Sequence, residues 1–476
     1  MANYDVVVIG AGVVGSLTAL ELSKHNVSVC LVDRFPEPGC GTSKANSAIV
    51  HAGYDADPGT AKAALNVRGC GMMEALCGEL DVPYLRTGSM VLAFSEEEAR
   101  KIQALLERGR QNGVKGLEII GRERVLELEP QVNPEVFAAL YAPDAGIVCP
   151  YELTVAAAES ALDNGVEARF DFPVERLERE NGMFRVISKS GEIRAAFVIN
   201  CAGVYSDLFC GEPSFRIQPR KGEYLILDRK YDGLVHHVLF RTPTKLGKGI
   251  LAAPTVHGNL LLGPTSEPIE DREDTDTTAK GLGLIRESSK YMLPGLDLRG
   301  VITSFAGLRA TPSTGDFLIG WSSGQEGLLN AAGIESPGLT SAPAIALKLV
   351  ELLGERLPLQ KKAHFHGRQK VLRMAELSLE EKNKVIRENP AYGRVVCRCE
   401  CVSEGEIVDA IRRNAGARTV DGVKRRVRAG MGRCQGSFCM PGVLELLSRE
   451  LGVSQTELTK SGGLSRMLTG TLKGEE

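Results

Sequence analysis

The sequence predicts an α/β and α+β chain in two parts: a doubly wound domain with an interleaved antiparallel sheet, then a small helical domain built around cysteines. Three observations predict it. A β-branched apolar run at residues 4–10 leads into Gly10, Gly12 and Gly15 and then a stretch with helical spacing. Alternating strand character recurs at residues 90–94, 220–227 and 249–263. Near the end, Cys397, Cys399 and Cys401 are answered by Cys434 and Cys439. At 476 residues the chain is too long for one ordinary core, so more than one domain is expected.

The first element is the strand at 4–10, followed by GxGxxG, a helix at 16–25 and a second apolar run at 27–32 that ends on Asp33. Strand, glycine turn, helix, strand and acid together make a Rossmann-like unit. Gly10 suits the tight turn, Gly12 the approach of a pyrophosphate to the backbone, and Gly15 the packing of helix on sheet. The helix N-terminus offers N–H groups and the positive end of its dipole to phosphates, and Asp33 offers a carboxylate to ribose hydroxyls. The competing reading is a βαβ unit with no ligand. Residues 39–54, GCGTSKANSAIVHAGY, are small, polar and without clear period, as suits a backbone passing close to an extended cofactor.

Apolar residues at 43% and charged residues at 25% place the chain among ordinary globular proteins. A net charge of −3 gives no reason to expect nucleic acid. Beyond Pro390 there are 14 Lys and Arg against 10 Asp and Glu, a local excess of +4 that suits docking between domains or plain solvation. The opening strand leaves no room for a secretory signal, and no apolar run reaches the length of a membrane span. Twelve cysteines in such a chain are expected to be reduced, cytoplasmic thiols, with peripheral association at a membrane left open.

Over roughly residues 4–355 the chain resembles the FAD-dependent oxidoreductases that include D-amino-acid oxidase and the glycerol-3-phosphate dehydrogenases. The resemblance is carried by the glycine unit, by VINCAGVYSD at 198–207, by GLRATPSTGDFLIG at 307–320 and by NAAGIESPGLTSAPAIA at 330–346. It implies FAD, held by Gly10, Gly12, Gly15, Asp33, Arg34, Thr42, Ser43, Asn46, Ser47, Val174, Ala202, Gly203, Gly338, Leu339 and Thr340. Gly333, Pro337 and Gly338 form a loop before the apolar helix at 342–353, which again sets a helix N-terminus beside an anion. Domain bounds follow: an oxidoreductase domain over 1–357, with cofactor segments at 1–85, 146–215 and 302–357 and substrate segments at 86–145 and 216–301.

Within that family, SAIVHAGYD at 47–55, GKGILAAPTVHGNLLLGPT at 247–265 and AGLRATP at 306–312 look most like glycerol-3-phosphate dehydrogenases and oxidases. L-2-hydroxyglutarate dehydrogenases share the His-Ala-Gly element. The implied reaction is oxidation of sn-glycerol 3-phosphate to dihydroxyacetone phosphate. His51 is the candidate base, since imidazole titrates near neutrality. Arg309 is the candidate anion fork, Lys248 a second cation and Ser336 a hydrogen-bond donor to the substrate. His236, His237, His257, His364 and His366 read as surface, turn and linker residues. A different class, a non-catalytic electron-transfer or assembly flavoprotein, stays open on the residues alone.

Residues 358–392 read as a connector, with Ser378 capping a helix that Pro390 stops. Beyond it, helical spacing at 405–414, 419–429 and 441–451 leaves the cysteines in loops. Cys397, Cys399, Cys434 and Cys439 form two close pairs that suit four thiolates on one metal centre. Residues 396–451 resemble the [2Fe-2S] domain of bacterioferritin-associated ferredoxin, in the form appended to anaerobic glycerol-3-phosphate dehydrogenases. The second pair is CxxxxC where the free ferredoxin has CxxC. Zinc is the alternative for four thiolates. Cys401 is surplus, and its spacing to Cys399 repeats that of Cys397. The basic run Lys424, Arg425, Arg426 and Arg428 suits a solvated face or charges balancing an anionic cluster. Electrons from the flavin would leave through the cluster to a redox partner protein or a quinone.

Overall fold

The strand Asn3–Ile9 is the axis of the first sheet, pairing parallel with Val29–Val32 on one side and Gly191–Asn200 on the other. The computed structural model describes residues 3–210, 215–242 and 249–470, so Lys248 lies outside the described residues. Gly191–Asn200 uses its far edge twice: its start pairs antiparallel with Met183–Ser188 and its end parallel with Leu328–Ala332. Glu167–Arg169, Val174–Glu180 and Leu318–Trp321 complete the eight strands. Val6, Val7, Val8, Leu31, Val32 and Ile199 are fully enclosed, as expected of parallel strands covered on both faces.

The helix Val13–Ser23 packs between the helices Pro150–Asp163 and Gly338–Gly354. It is buried nearly all round, which explains why it carries no amphipathic stripe. Gly338–Gly354 starts four residues before the predicted Ala342, so Pro343 lies inside the helix, forgoing one backbone hydrogen bond, and does not mark its beginning.

The second sheet has nine strands, with Ile217–Leu227 and Val301–Pro312 as its longest pair. It is antiparallel except where Val238–Arg241 lies parallel to Ser89–Ala93. That pair is not a hairpin: between its two strands the chain has crossed to the first sheet and back, so no tight turn dictates its direction. Val301–Pro312 carries Gly307 and Arg309 in this second sheet, facing the first. A small sheet of Ile49–Val50, Gly146–Val148 and Tyr84–Leu85 supports the segment around His51.

The C-terminal domain has its own core of Ile407, Ile411, Val423, Val443 and Leu447. Its helices are Glu404–Arg412, capped by a Ser403 capping box, Val420–Val427, capped by Thr419, and Met440–Leu451. Residues 358–392 do not hang free: Arg368 pairs with Glu159 at 2.8 Å and Arg373 with Asp81 at 3.0 Å along the first domain, and from Met374, whose N–H donates to Glu406 at 3.0 Å, the segment packs on the C-terminal domain. All twelve cysteines are free thiols, and among the described residues no helix is long and apolar enough to cross a membrane.

Candidate functional site

A cavity of about 810 Å³ opens between the two sheets, within the range that small-molecule and cofactor sites occupy, about 300–1,000 Å³. At one end lies the glycine turn. Gly10 has φ +101°, and a Cβ there would stand 2.4 Å from the Cys201 carbonyl. A Cβ on Gly15 would fall 1.8 Å from the Gly10 carbonyl, so only glycine lets the helix approach the strand this closely. Ser43 Oγ accepts the Val13 N–H at 2.9 Å and so ties the polar loop to the helix N-terminus.

Asp33 accepts N–H bonds from Ala11 at 2.6 Å and Phe35 at 2.9 Å. Burial pushes its carboxyl up, against those two bonds. Arg34 forks onto Glu273 and lies over the Tyr205 ring, 4.5 Å from its centroid. From Gly10, Gly12, Asp33 and Arg34 the lining passes Thr42, Ser43, Asn46 and Ser47, with Val174, Ala202 and Gly203 on another wall and Gly338 and Leu339 at a second helix N-terminus. Gly15 and Thr340 do not line the cavity. Thr340 is buried, its hydroxyl accepting the His51 N–H at 3.0 Å and donating to the Ile49 carbonyl at 3.2 Å. Two helix N-termini, glycine-lined backbone and a ribose-ready carboxylate fit an extended dinucleotide.

His51, Arg309 and Ser336 line the same cavity. The His51 ring lies against Phe240, with centroids 5.8 Å apart, and its backbone is held from both sides by Thr340 and by Asn66, which donates to its carbonyl at 2.9 Å. Both terminal nitrogens of Arg309 stand 3.4 Å from the Thr265 carbonyl. Three lining residues escaped the sequence reading: Arg220, cross-strand partner of Arg309; Tyr224, stacked on Phe305 at 4.7 Å; and Lys62, paired with Glu335 at 2.6 Å. Nothing local marks them, because each is defined by a partner distant in sequence.

The four predicted cysteine ligands fall into two pairs. Cys399 and Cys434 have their sulfurs 3.5 Å apart, and Cys397 is hydrogen-bonded to Cys439. That bond, aided by backbone groups of Gly430 and Glu400 and opposed by burial, lowers the Cys397 thiol below its ordinary range and raises Cys439. No three of the four sulfurs lie within 4.8 Å of one another among the described residues. A single tetrahedral zinc brings all its sulfurs to about 3.8 Å, so two separated pairs suit a two-iron centre better. Cys401 is exposed at φ +55°, and its thiol turns back to the Arg398 carbonyl at 3.7 Å. Gly432 allows close approach: a Cβ there would meet the Cys399 Cβ at 2.4 Å.

Two histidines depart from the sequence reading. His237 is no surface residue: its Nδ1 lies 2.7 Å from Glu129, which is wholly buried and also accepts the N–H groups of His236 and His237. His257 sits in the expected turn, yet its Nε2 reaches Glu152 at 2.9 Å, beside Cys149. Burial raises Glu152, but His257 and Arg373 outweigh it and hold the carboxyl below its usual range.

A family model described as FAD dependent oxidoreductase matches residues 5–352, and one described as BFD-like [2Fe-2S] binding domain matches residues 395–449. The chain is 47% identical to a glycerol 3-phosphate dehydrogenase of Caloramator mitchellensis, over 99% of both proteins. Bovine mitochondrial L-2-hydroxyglutarate dehydrogenase is 30% identical over 56% of this chain and 61% of its own length. Dithionite-reduced L-alpha-glycerophosphate oxidase from Mycoplasma pneumoniae with FAD bound superposes with a TM-score of 0.74 at 29% identity, covering 78% of this chain and 100% of that one.

Proposed function

Since the chain belongs to the family of FAD-dependent oxidoreductases and carries a BFD-like [2Fe-2S] binding domain, we propose that it oxidises sn-glycerol 3-phosphate to dihydroxyacetone phosphate. The observation that carries this reading is one cavity lined by the glycine turn, by His51 and by the cross-strand partners Arg220 and Arg309. It is supported by full-length similarity to a glycerol 3-phosphate dehydrogenase, where similarity to a 2-hydroxy-acid enzyme is only partial.

When bound, FAD supplies the hydride acceptor and the [2Fe-2S] centre a one-electron outlet. Arg309 and Arg220 hold the phosphate, since planar guanidinium forks match its oxygens. His51 takes the hydroxyl proton as the secondary alcohol is oxidised, and Ser336 orients the substrate. Thr340 and Asn66 fix the backbone of His51, so the base is presented from a rigid segment. Cys397, Cys399, Cys434 and Cys439 hold the cluster. Its outer edge, with Cys399 exposed and Phe438 84% exposed, offers a place for a redox protein or quinone to collect electrons. Twelve free thiols support a reducing, cytoplasmic compartment.

Anaerobic titration of the purified flavoprotein tests the assignment: glycerol 3-phosphate should bleach the flavin band. Bleaching by L-2-hydroxyglutarate alone would overturn it.

A further inference from the structure

The loop that follows Asp33 serves two surfaces at once. Asp33, Arg34, Phe35, Gly41, Thr42 and Ser43 line the cofactor cavity. Between them, Glu37 points the other way and is 1% exposed, enclosed by the C-terminal domain. Its carboxylate accepts a hydrogen bond from Thr419 at 2.6 Å and from Arg426, with Arg425 3.6 Å away. Helix Val420–Val427 sits directly on it: a Cβ on Gly422 would stand 2.2 Å from Glu37 Oε1. Arg425 also donates to Cys40 Sγ at 3.1 Å, and Gly462 packs on Pro36. The loop is tied back to the cofactor turn by Gly39 N–H to the Ala11 carbonyl at 2.9 Å and by Phe35 N–H to Asp33.

Arg425 and Arg426 are 5% and 4% exposed, so this contact is a desolvated ion cluster and not a surface pair. Breaking one partner of such a cluster leaves a buried charge uncompensated, and the loop must move to rehydrate it. Its neighbours on either side are cavity residues. We propose that Glu37 is a positioning residue that couples docking of the cluster domain to the loop holding the adenosine half of FAD, so that each strengthens the other. The proposal rests on FAD occupying this cavity. Coupling of this kind is reciprocal: whatever factor docking adds to FAD affinity, FAD adds to docking.

The test uses the full chain, freed of flavin and retaining its cluster, with FAD itself as the probe. Glu37→Gln and Arg426→Met should each raise the FAD dissociation constant roughly tenfold, within the usual span of coupling factors. Thr419→Val removes the hydrogen bond to Glu37 together with the N-cap on the Gly422 N–H and leaves both ion pairs, so it reports in a folded protein even where loss of a charge does not. It should weaken FAD binding in the same direction. The second readout is protease cleavage in residues 358–392: FAD should protect the wild-type connector and fail to protect the Glu37→Gln chain. A residue with only a structural role would lower protection equally with and without FAD. FAD affinity within about twofold of wild type in folded Glu37→Gln and Thr419→Val, with FAD-dependent protection intact, would overturn the proposal. A wild-type chain that binds no FAD would instead remove the cofactor reading on which it stands.

Discussion

Arg220 and Arg309 stand directly opposite each other on neighbouring antiparallel strands, and both line the cavity. Like charges in that position repel, and an anion between them turns the repulsion into a clamp. Arg309→Ala and Arg220→Ala should each lower kcat/KM for glycerol 3-phosphate roughly 10–100-fold, the worth of hydrogen bonds to a charged group. Steady-state kinetics check this. Arg309→Lys should recover only part of the loss, because an ammonium lacks the fork.

His51→Ala should cut turnover by about 10²–10⁴, the usual contribution of a positioned base. The flavin spectrum should remain, since the ring of His51 shapes the substrate end of the cavity and leaves the glycine turn untouched. Rapid-reaction kinetics of flavin reduction read the loss directly.

Cys399→Ser should remove the visible absorption and iron of the cluster, while Cys401→Ser should keep both, because Cys401 turns its thiol away from the paired sulfurs. Substrate should still bleach the flavin of Cys399→Ser anaerobically. Reoxidation by an electron acceptor should become slow. Iron analysis and stopped-flow absorbance separate the two steps.

The domain contact should be acid-labile. Burial raises Glu37, but Arg426, Arg425 and Thr419 outweigh it and hold the carboxyl below its unfolded value of 4.5. Glu152 behaves alike through His257 and Arg373. A depressed carboxylate contributes stability that is complete above its unfolded value and is lost as pH falls through the folded one. Protection of residues 358–392 from protease should therefore be constant from pH 6 to 8, roughly, and decline below about 4.5.

How much of this was legible in the sequence depends on how local each feature is. Gly10 and Gly15 announce themselves because a tight turn and a close helix leave no alternative residue, and Gly12 is legible through its spacing between them. The cysteine pairs are legible for the same reason, as ligand spacing is written along a few residues. His51 became visible through a family resemblance, but its support did not: Thr340 lies 289 residues away. Arg220 reads as an ordinary strand residue until its strand is paired with Val301–Pro312. The basic run at 424–428 reads as solvated because charge usually is. Arg425 and Arg426 are instead buried on Glu37, which a reader of sequence has no means to place 389 residues upstream.

The chain alternates between its two sheets, and this sets the order of its own assembly. Leu328–Ala332, which completes the far edge of Gly191–Asn200, is made only after Val301–Pro312 has closed the second sheet. Neither sheet can finish early, and every nascent chain short of residue 332 exposes strand edges and apolar faces that await a later segment. Such long-range pairing folds slowly and leaves intermediates open to aggregation, the circumstance in which chaperones are needed. The cysteine domain is synthesised after all of this, so the surface on which it docks depends on strands that pair only late in the chain.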